Sequence, residues 1–282
     1  MRQHEQTLET MDNLDKRFDS GKNDNKDEGE KLIYRFANLQ GIGAREYQVD
    51  SFAFSDIFDP EMIKTKGVLA VIADGMGGLQ HGKTASQTAV SVIRQSFSNI
   101  DTSASIVDQL NAMVSQAGAK VEAVINGKGG STVIIALIFQ DKLYFSSLGD
   151  SYLYLKRGEW FIRVNRPHNV AAKALADLVE RGQTDPKKAL IDNDPVALTE
   201  FLGKEPVEKI ECFVRPLQMH SGDVLLLCTD GVGRTLNERE IRNSLSCDTP
   251  ARMCSALEDR VIAKRQRNQD NYTALVIQCT DP

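Results

Sequence analysis

Apolar positions along this chain follow two rhythms. Val68–Ala73 (VLAVIA) is an unbroken apolar run that stops at Asp74-Gly75, which predicts a buried strand. The stretch 81–97 instead places Ala89, Val90, Ile93 and Phe97 at three-to-four spacing, which predicts an amphipathic helix, and a second helix is expected over about 104–125. Four strand-like runs follow: STVIIALIFQ, DKLYFSSLGD, SYLYLKRGE and WFIRVNR. Only two to four turn residues join them, enough for antiparallel hairpins and too few for parallel crossovers. Residues 169–183 read as a helix, Lys209–Gln218 and Asp223–Thr229 as strands about a Ser221-Gly222 turn, 237–245 and 249–265 as a helix pair, and Tyr272–Gln278 as a last strand. Strand runs and helix pairs, without strict alternation, predict an α+β fold with an antiparallel sheet core covered by helix pairs.

Composition sharpens this picture. The chain has 282 residues, 41% hydrophobic and 26% charged, so it can build an ordinary water-soluble core. Residues 1–30 carry nine acidic and five basic side chains and almost nothing apolar; they are expected to be a flexible polar tail ahead of one domain spanning 31–282. A net charge of −5 argues against a nucleic-acid or anionic-membrane partner, both of which need a basic footprint. The longest apolar run, Val133–Phe139, is far short of the ~20 residues of a membrane span. The first ten residues contain no apolar signal core, and the five cysteines are odd in number with no C-x-x-C pair; a reducing cytoplasm is the expected location. With four histidines in the whole chain, a bound metal would be held mainly by oxygen, which favours Mg²⁺ or Mn²⁺.

The informative feature is where the aspartates fall. Asp74 ends VLAVIA, Asp150 ends LYFSSLG, Asp230 ends VLLLCT, Asp270 precedes NYTALVIQ and Asp50 precedes SFAF. A single Asp-Gly at a strand end is usually just a turn. Five carboxylates at the tips of strands sharing one sheet system would converge and repel, and divalent cations relieve that repulsion.

The segments REYQVDS (45–51), VLAVIADGMGG (68–78), GGSTVIIALI (129–138), LGDSYLYL (148–155), RPHN (166–169), ALTEFLG (197–203), GDVLLLCTDGV (222–232) and QDNYTALVI (269–277) occur in this order. Together they resemble the metal-dependent PPM (type 2C) protein serine/threonine phosphatases in their bacterial form. The resemblance implies a four-layer α-β-β-α sandwich, two antiparallel sheets flanked by helix pairs, with a dinuclear Mn²⁺ or Mg²⁺ site at one end and a third, weaker ion. It implies that Asp74 bridges two metals, that the Gly75 carbonyl ligates one, that Asp230 and Asp270 hold the other, that Asp50 acts near the second and that Asp150 helps hold the third. Arg45 would clamp phosphoryl oxygens with its planar fork, so Arg45 and Asp74 are the expected catalytic residues. The implied partner is a phosphorylated protein, a Ser/Thr kinase or its target, with no nucleic acid and no membrane.

Several positions depart from the family pattern. Val49 stands where Glu or Gln is usual, Met76 follows Asp74-Gly75 where animal enzymes have a histidine, and Arg234 occupies the position four after Asp230 where many members carry another aspartate. His81 is expected to be a surface residue. Val49 and Arg234 motivate an alternative, a non-catalytic phosphoprotein-binding member of the same fold. A second alternative is a P-loop nucleotide hydrolase, because Gly77–Thr84 (GGLQHGKT) fits G-x-x-x-x-G-K-T between a strand and a helix. That reading needs a parallel sheet, which four successive strands over 131–166 do not suit. Residues 183–208, polar with three prolines, match by position the flap beside the site in bacterial members and are expected to select substrate.

Overall fold

A computed structural model describes residues 32–183, 185, 194–204, 207 and 209–282. The expected tail, 1–30, and much of the expected flap lie outside the described residues.

Two antiparallel sheets carry the fold. Sheet one orders β1 (Ile33–Gly41), β13 (Tyr272–Thr280), β12 (Val224–Cys228), β8 (Tyr152–Arg157) and β9 (Trp160–Arg163). Sheet two orders β10 (Glu211–Cys212), β7 (Lys142–Leu148), β6 (Val133–Phe139), β3 (Val68–Ala73) and β2 (Ser51–Phe54), with β11 (Leu217–Gln218) also on β7. A two-strand ribbon pairs β4 (Gly75–Met76) with β5 (Gly130–Ser131).

Side-chain parity builds the layers. Along β3, Ala70 and Ile72 face the other sheet, where they meet Leu153, Leu225, Leu227, Leu275 and Ile277. The alternate residues Leu69, Val71 and Ala73 face outward against α2 (Leu79–Phe97) and α3 (Ile106–Ile125), through Ala89, Ile93, Leu110, Val114 and Val121. On the far side, Leu226, Cys228, Ala274 and Val276 pack on Ile241 of α6 (Glu238–Ser244) and on Met253, Leu257 and Val261 of α7 (Pro250–Ala263). The result is the expected four-layer α-β-β-α sandwich. Sheets covered on both faces explain why their strands read as continuous apolar runs.

Helix ends follow local chemistry. The Asn237 side chain accepts from the Glu240 N–H while Glu240 reaches back to the Asn237 N–H, which starts α6. Thr249 and Pro250 start α7 in the same spirit. Asn169 caps α4 (Val170–Glu180), which ends before Arg181-Gly182 and so is shorter than the pattern suggested.

Other elements also differ from expectation. Lys209–Gln218 is two two-residue strands, because Pro216 cannot donate to a ladder. Strand β1 and α1 (Pro60–Lys66) were not anticipated; Asp59 caps α1 by accepting from Glu61 and Met62. Strand β3 pairs antiparallel with both β2 and β6, which removes the P-loop alternative, since that motif requires a parallel sheet.

Register brings the strand tips to one end. Cys228 lies opposite both Ala274 and Tyr152, so the end of β12, the start of β13 and the start of β8 share a rim. Val133 lies opposite Leu148, which puts the end of β7 at the start of β6. The link from β7 to β8 therefore crosses between the sheets at that rim, carrying Asp150.

Candidate active site

A cavity of about 660 Å³ opens at this rim, and Asp74, Asp150, Asp230 and Asp270 all line it, with Gly75, Arg45 and Arg234. Each carboxylate arrives from a different strand tip. Asp74 is fixed through its backbone: its N–H donates to Thr132 Oγ1 at 3.0 Å, and its carbonyl accepts from the Thr132 N–H at 2.9 Å and from Ser131 Oγ at 3.0 Å. Asp230 opens the one-turn helix α5 (Asp230–Gly233). Gly75 and Gly82 bring two backbones together so closely that a Cβ on Gly75 would lie 2.2 Å from the Gly82 carbonyl oxygen. That approach is what Gly75 of DGMGG and Gly82 of the P-loop-like segment serve.

Charge is crowded here. Burial pushes the Asp74 carboxyl well above the usual carboxylate range, and Asp50, Asp230, Asp150 and Asp270 push the same way. Burial also raises Asp230; Arg234 pulls it down, while Asp150 and Asp270 add to the rise. Asp50 is only 6% exposed, and burial carries it up to about 7, against the hydroxyls of Thr273 (2.7 Å) and Thr229 (2.9 Å), which donate to its Oδ2. Asp50 does not line the main cavity. It stands behind Asp74 and lines a second one, of about 510 Å³, with Gln40, Gln48, Lys83 and Arg94.

Two arginines offset part of this charge. Arg45, more than half exposed, forks onto Asp270 at 2.9 and 2.7 Å, and that carboxylate is the strongest influence holding it charged. The expected phosphate clamp and an expected metal ligand are thus paired with each other. Arg234 bonds Asp150 and lies 3.4 Å from Asp230. Among the described residues, no three acidic, histidine or cysteine side chains stand close enough to hold one ion together as placed. The donor set is nonetheless hard oxygen throughout, and four carboxylates face two guanidinium groups across one cavity, so Asp74, Asp230, Asp270 and Gly75 suit divalent cations. Asp150 is paired with Arg234, as Asp270 is with Arg45.

Some positioning residues escaped the sequence reading. Asn271 accepts from the Val49 N–H at 2.8 Å and donates to the Ile42 and Tyr47 carbonyls at 2.9 and 3.0 Å, which fastens the Arg45 loop to the Asp270 strand. His168, half-buried and held below its usual pKa by desolvation, accepts from the Gly149 N–H at 3.1 Å and so braces the turn that carries Asp150. Both lay inside motifs (QDNY and RPHN) whose acidic or basic members drew the attention. His81 lines neither cavity, in keeping with its expected place near the surface.

A doubly covered antiparallel sandwich with a carboxylate-rich cleft at one rim is an arrangement suited to metal-assisted hydrolysis. Comparison with known proteins gives the particular kind. The family model "Protein phosphatase 2C" matches residues 55–270, and the chain belongs to that family. It is a metal-dependent protein phosphatase. The serine/threonine phosphatase stp of Listeria innocua is 26% identical over 76% of this chain and 86% of its own length. Protein phosphatase PhpP of Streptococcus pneumoniae is 26% identical over 64% of this chain and 74% of its own. Among solved structures, PppA of Pseudomonas aeruginosa superposes with a TM-score of 0.70 at 25% identity, covering 89% of this chain and 100% of that one. The catalytic domain of the phosphatase PstP, solved in complex with two manganese ions, gives 0.69 at 22% identity, with 89% and 100% covered. The non-catalytic alternative is not favoured by this company.

Proposed function

We propose that Asp74, Asp230, Asp270 and the Gly75 carbonyl hold two Mn²⁺ or Mg²⁺ ions, with Asp50 acting from behind Asp74, and that the chain dephosphorylates phosphoserine and phosphothreonine on proteins. The observation that carries this reading is the surplus of carboxylate charge gathered from separate strand tips around one cavity. The catalytic unit is residues 31–282. The phosphoprotein is a Ser/Thr kinase or one of its targets. Five free cysteines, three of them buried, support work in a reducing cytoplasm.

Bound divalent cations supply Lewis acidity, lowering the pKa of water and offsetting phosphate charge. The chain's own residues do the rest. Arg45 presents a planar fork at the cavity mouth whose pairing geometry with a carboxylate serves phosphoryl oxygens equally, and Asn271 holds its loop in place. Tyr47, Met76 and Leu198 give the cavity apolar walls for the substrate chain. Leu198 belongs to the segment 183–208, which selects the peptide; exchanging that segment changes peptide preference and leaves turnover of a small aryl phosphate intact.

The test is turnover of p-nitrophenyl phosphate and of a phosphothreonine peptide in Mn²⁺, with a chelator control. Asp230→Asn is expected to abolish most of both while the fold, followed by circular dichroism, persists. Wild-type turnover in that variant would refute the assignment.

A further inference from the structure

The Arg234 guanidinium joins two carboxylates that come from opposite parts of the chain. One of its nitrogens bonds Asp150 Oδ2, and the other lies 3.4 Å from Asp230 Oδ2. We infer that Arg234 is a fixed internal cation between Asp150 and Asp230, so that this chain takes its divalent cations without a further one at Asp150. The inference rests on the metal-pair reading above and refines it.

Three observations support the assignment. The Arg234 backbone is held beside Asp230, because its N–H donates to the Asp230 carbonyl at 2.8 Å, closing α5. That turn is seated on Tyr152 so tightly that a Cβ on Gly233 would lie 2.3 Å from the ring, an approach only glycine permits. The backbone that carries Asp150 is held as well. Arg163 donates to its carbonyl at 3.0 Å and to that of Ser151 at 3.1 Å, His168 braces Gly149 from the other side, and Asp150 is 6% exposed. Finally, a guanidinium stays protonated at every pH at which the fold persists, so its charge cannot be titrated away to admit an ion. An ion at Asp150 would have to displace this partner and then sit beside its positive charge.

The experiment is equilibrium dialysis of the full-length protein against Mn²⁺, counting bound metal per chain by atomic emission. Wild type is expected to bind two ions, and Asp150→Asn is expected to bind the same number. Arg234→Asp is expected to gain one Mn²⁺ per chain, and Arg234→Asp combined with Asp150→Asn to lose it again. Thermal melting checks that each variant folds, and the Asp150→Asn comparison decides the matter even if Arg234→Asp does not. Three ions on wild type with one lost in Asp150→Asn would overturn the inference and leave the metal pair standing. So would a folded Arg234→Asp that binds no more than wild type. No ion on wild type would overturn the metal pair and this inference with it.

Discussion

Among the described residues, two places set aspartate against arginine, and they do so differently. Inside the sandwich, Asp223 is fully buried and meets Arg157 in a two-pronged pair at 2.8 and 2.8 Å; Arg157 also donates to the Gln218 carbonyl, and the His220 N–H donates to Asp223. One charge meets one counter-charge. At the rim, four aspartates face two arginines that are each well exposed. The first arrangement ties β8 to the turn before β12 and has nothing left over. The second carries a surplus, and a surplus is what a fold keeps only where something else is to bind.

This contrast can be broken at either side. The largest effect is expected at the balanced pair: Arg157→Met strands a buried charge and should cost about 3–5 kcal/mol in urea unfolding, while Arg157→Met with Asp223→Leu should recover most of it. Next, Asp230→Asn should lower Mn²⁺-dependent turnover by more than about 100-fold, beyond what loss of an outer partner of a metal ligand costs. Third, Mn²⁺ at 100 times its dissociation constant should stabilise wild type by about 2.7 kcal/mol and Asp74→Asn much less, read from thermal midpoints. Each kcal/mol moves the midpoint of a chain this size by about 2–4 °C.

The smallest effect is in pH. Asp50 is raised to about 7 in the folded state, so it favours folding below the unfolded carboxylate pKa and loses that contribution as pH rises through about 7. In chelator, Asp50→Asn should therefore gain stability relative to wild type between about pH 4 and 7, and level off above. His168 acts with the opposite sign: its folded pKa is lowered, so its contribution is complete above about 6.5 and is lost as pH falls. Differences between variants isolate the two. A flat difference for Asp50→Asn would contradict the burial that raises this carboxyl.

The contrast also marks what the sequence could disclose. Apolar runs such as VLAVIA announced the doubly covered strands, and the aspartates at their ends announced the rim, because strand length and end are local properties. The ribbon β4–β5 stayed hidden: two-residue strands carry no periodicity, and their pairing depends on Gly75 and Gly82 meeting through the fold. Arg234 was visible as four residues from Asp230, a helical spacing, but not as the partner of Asp150, 84 residues distant. Asp50 was legible as an aspartate before a strand, but not the buried hydroxyls of Thr229 and Thr273, 179 and 223 residues distant, that donate to its Oδ2. Strand tips disclose which end a residue occupies; they do not disclose which way it turns.

The central claim is that the rim carboxylates form a cation-binding cleft, and anomalous scattering from crystals soaked in Mn²⁺ tests it most directly. The account predicts strong peaks in contact with Asp74, one shared with Asp230 and Asp270, and none coordinated by Asp150. An empty cleft at millimolar Mn²⁺, or peaks confined to other surfaces, would contradict it.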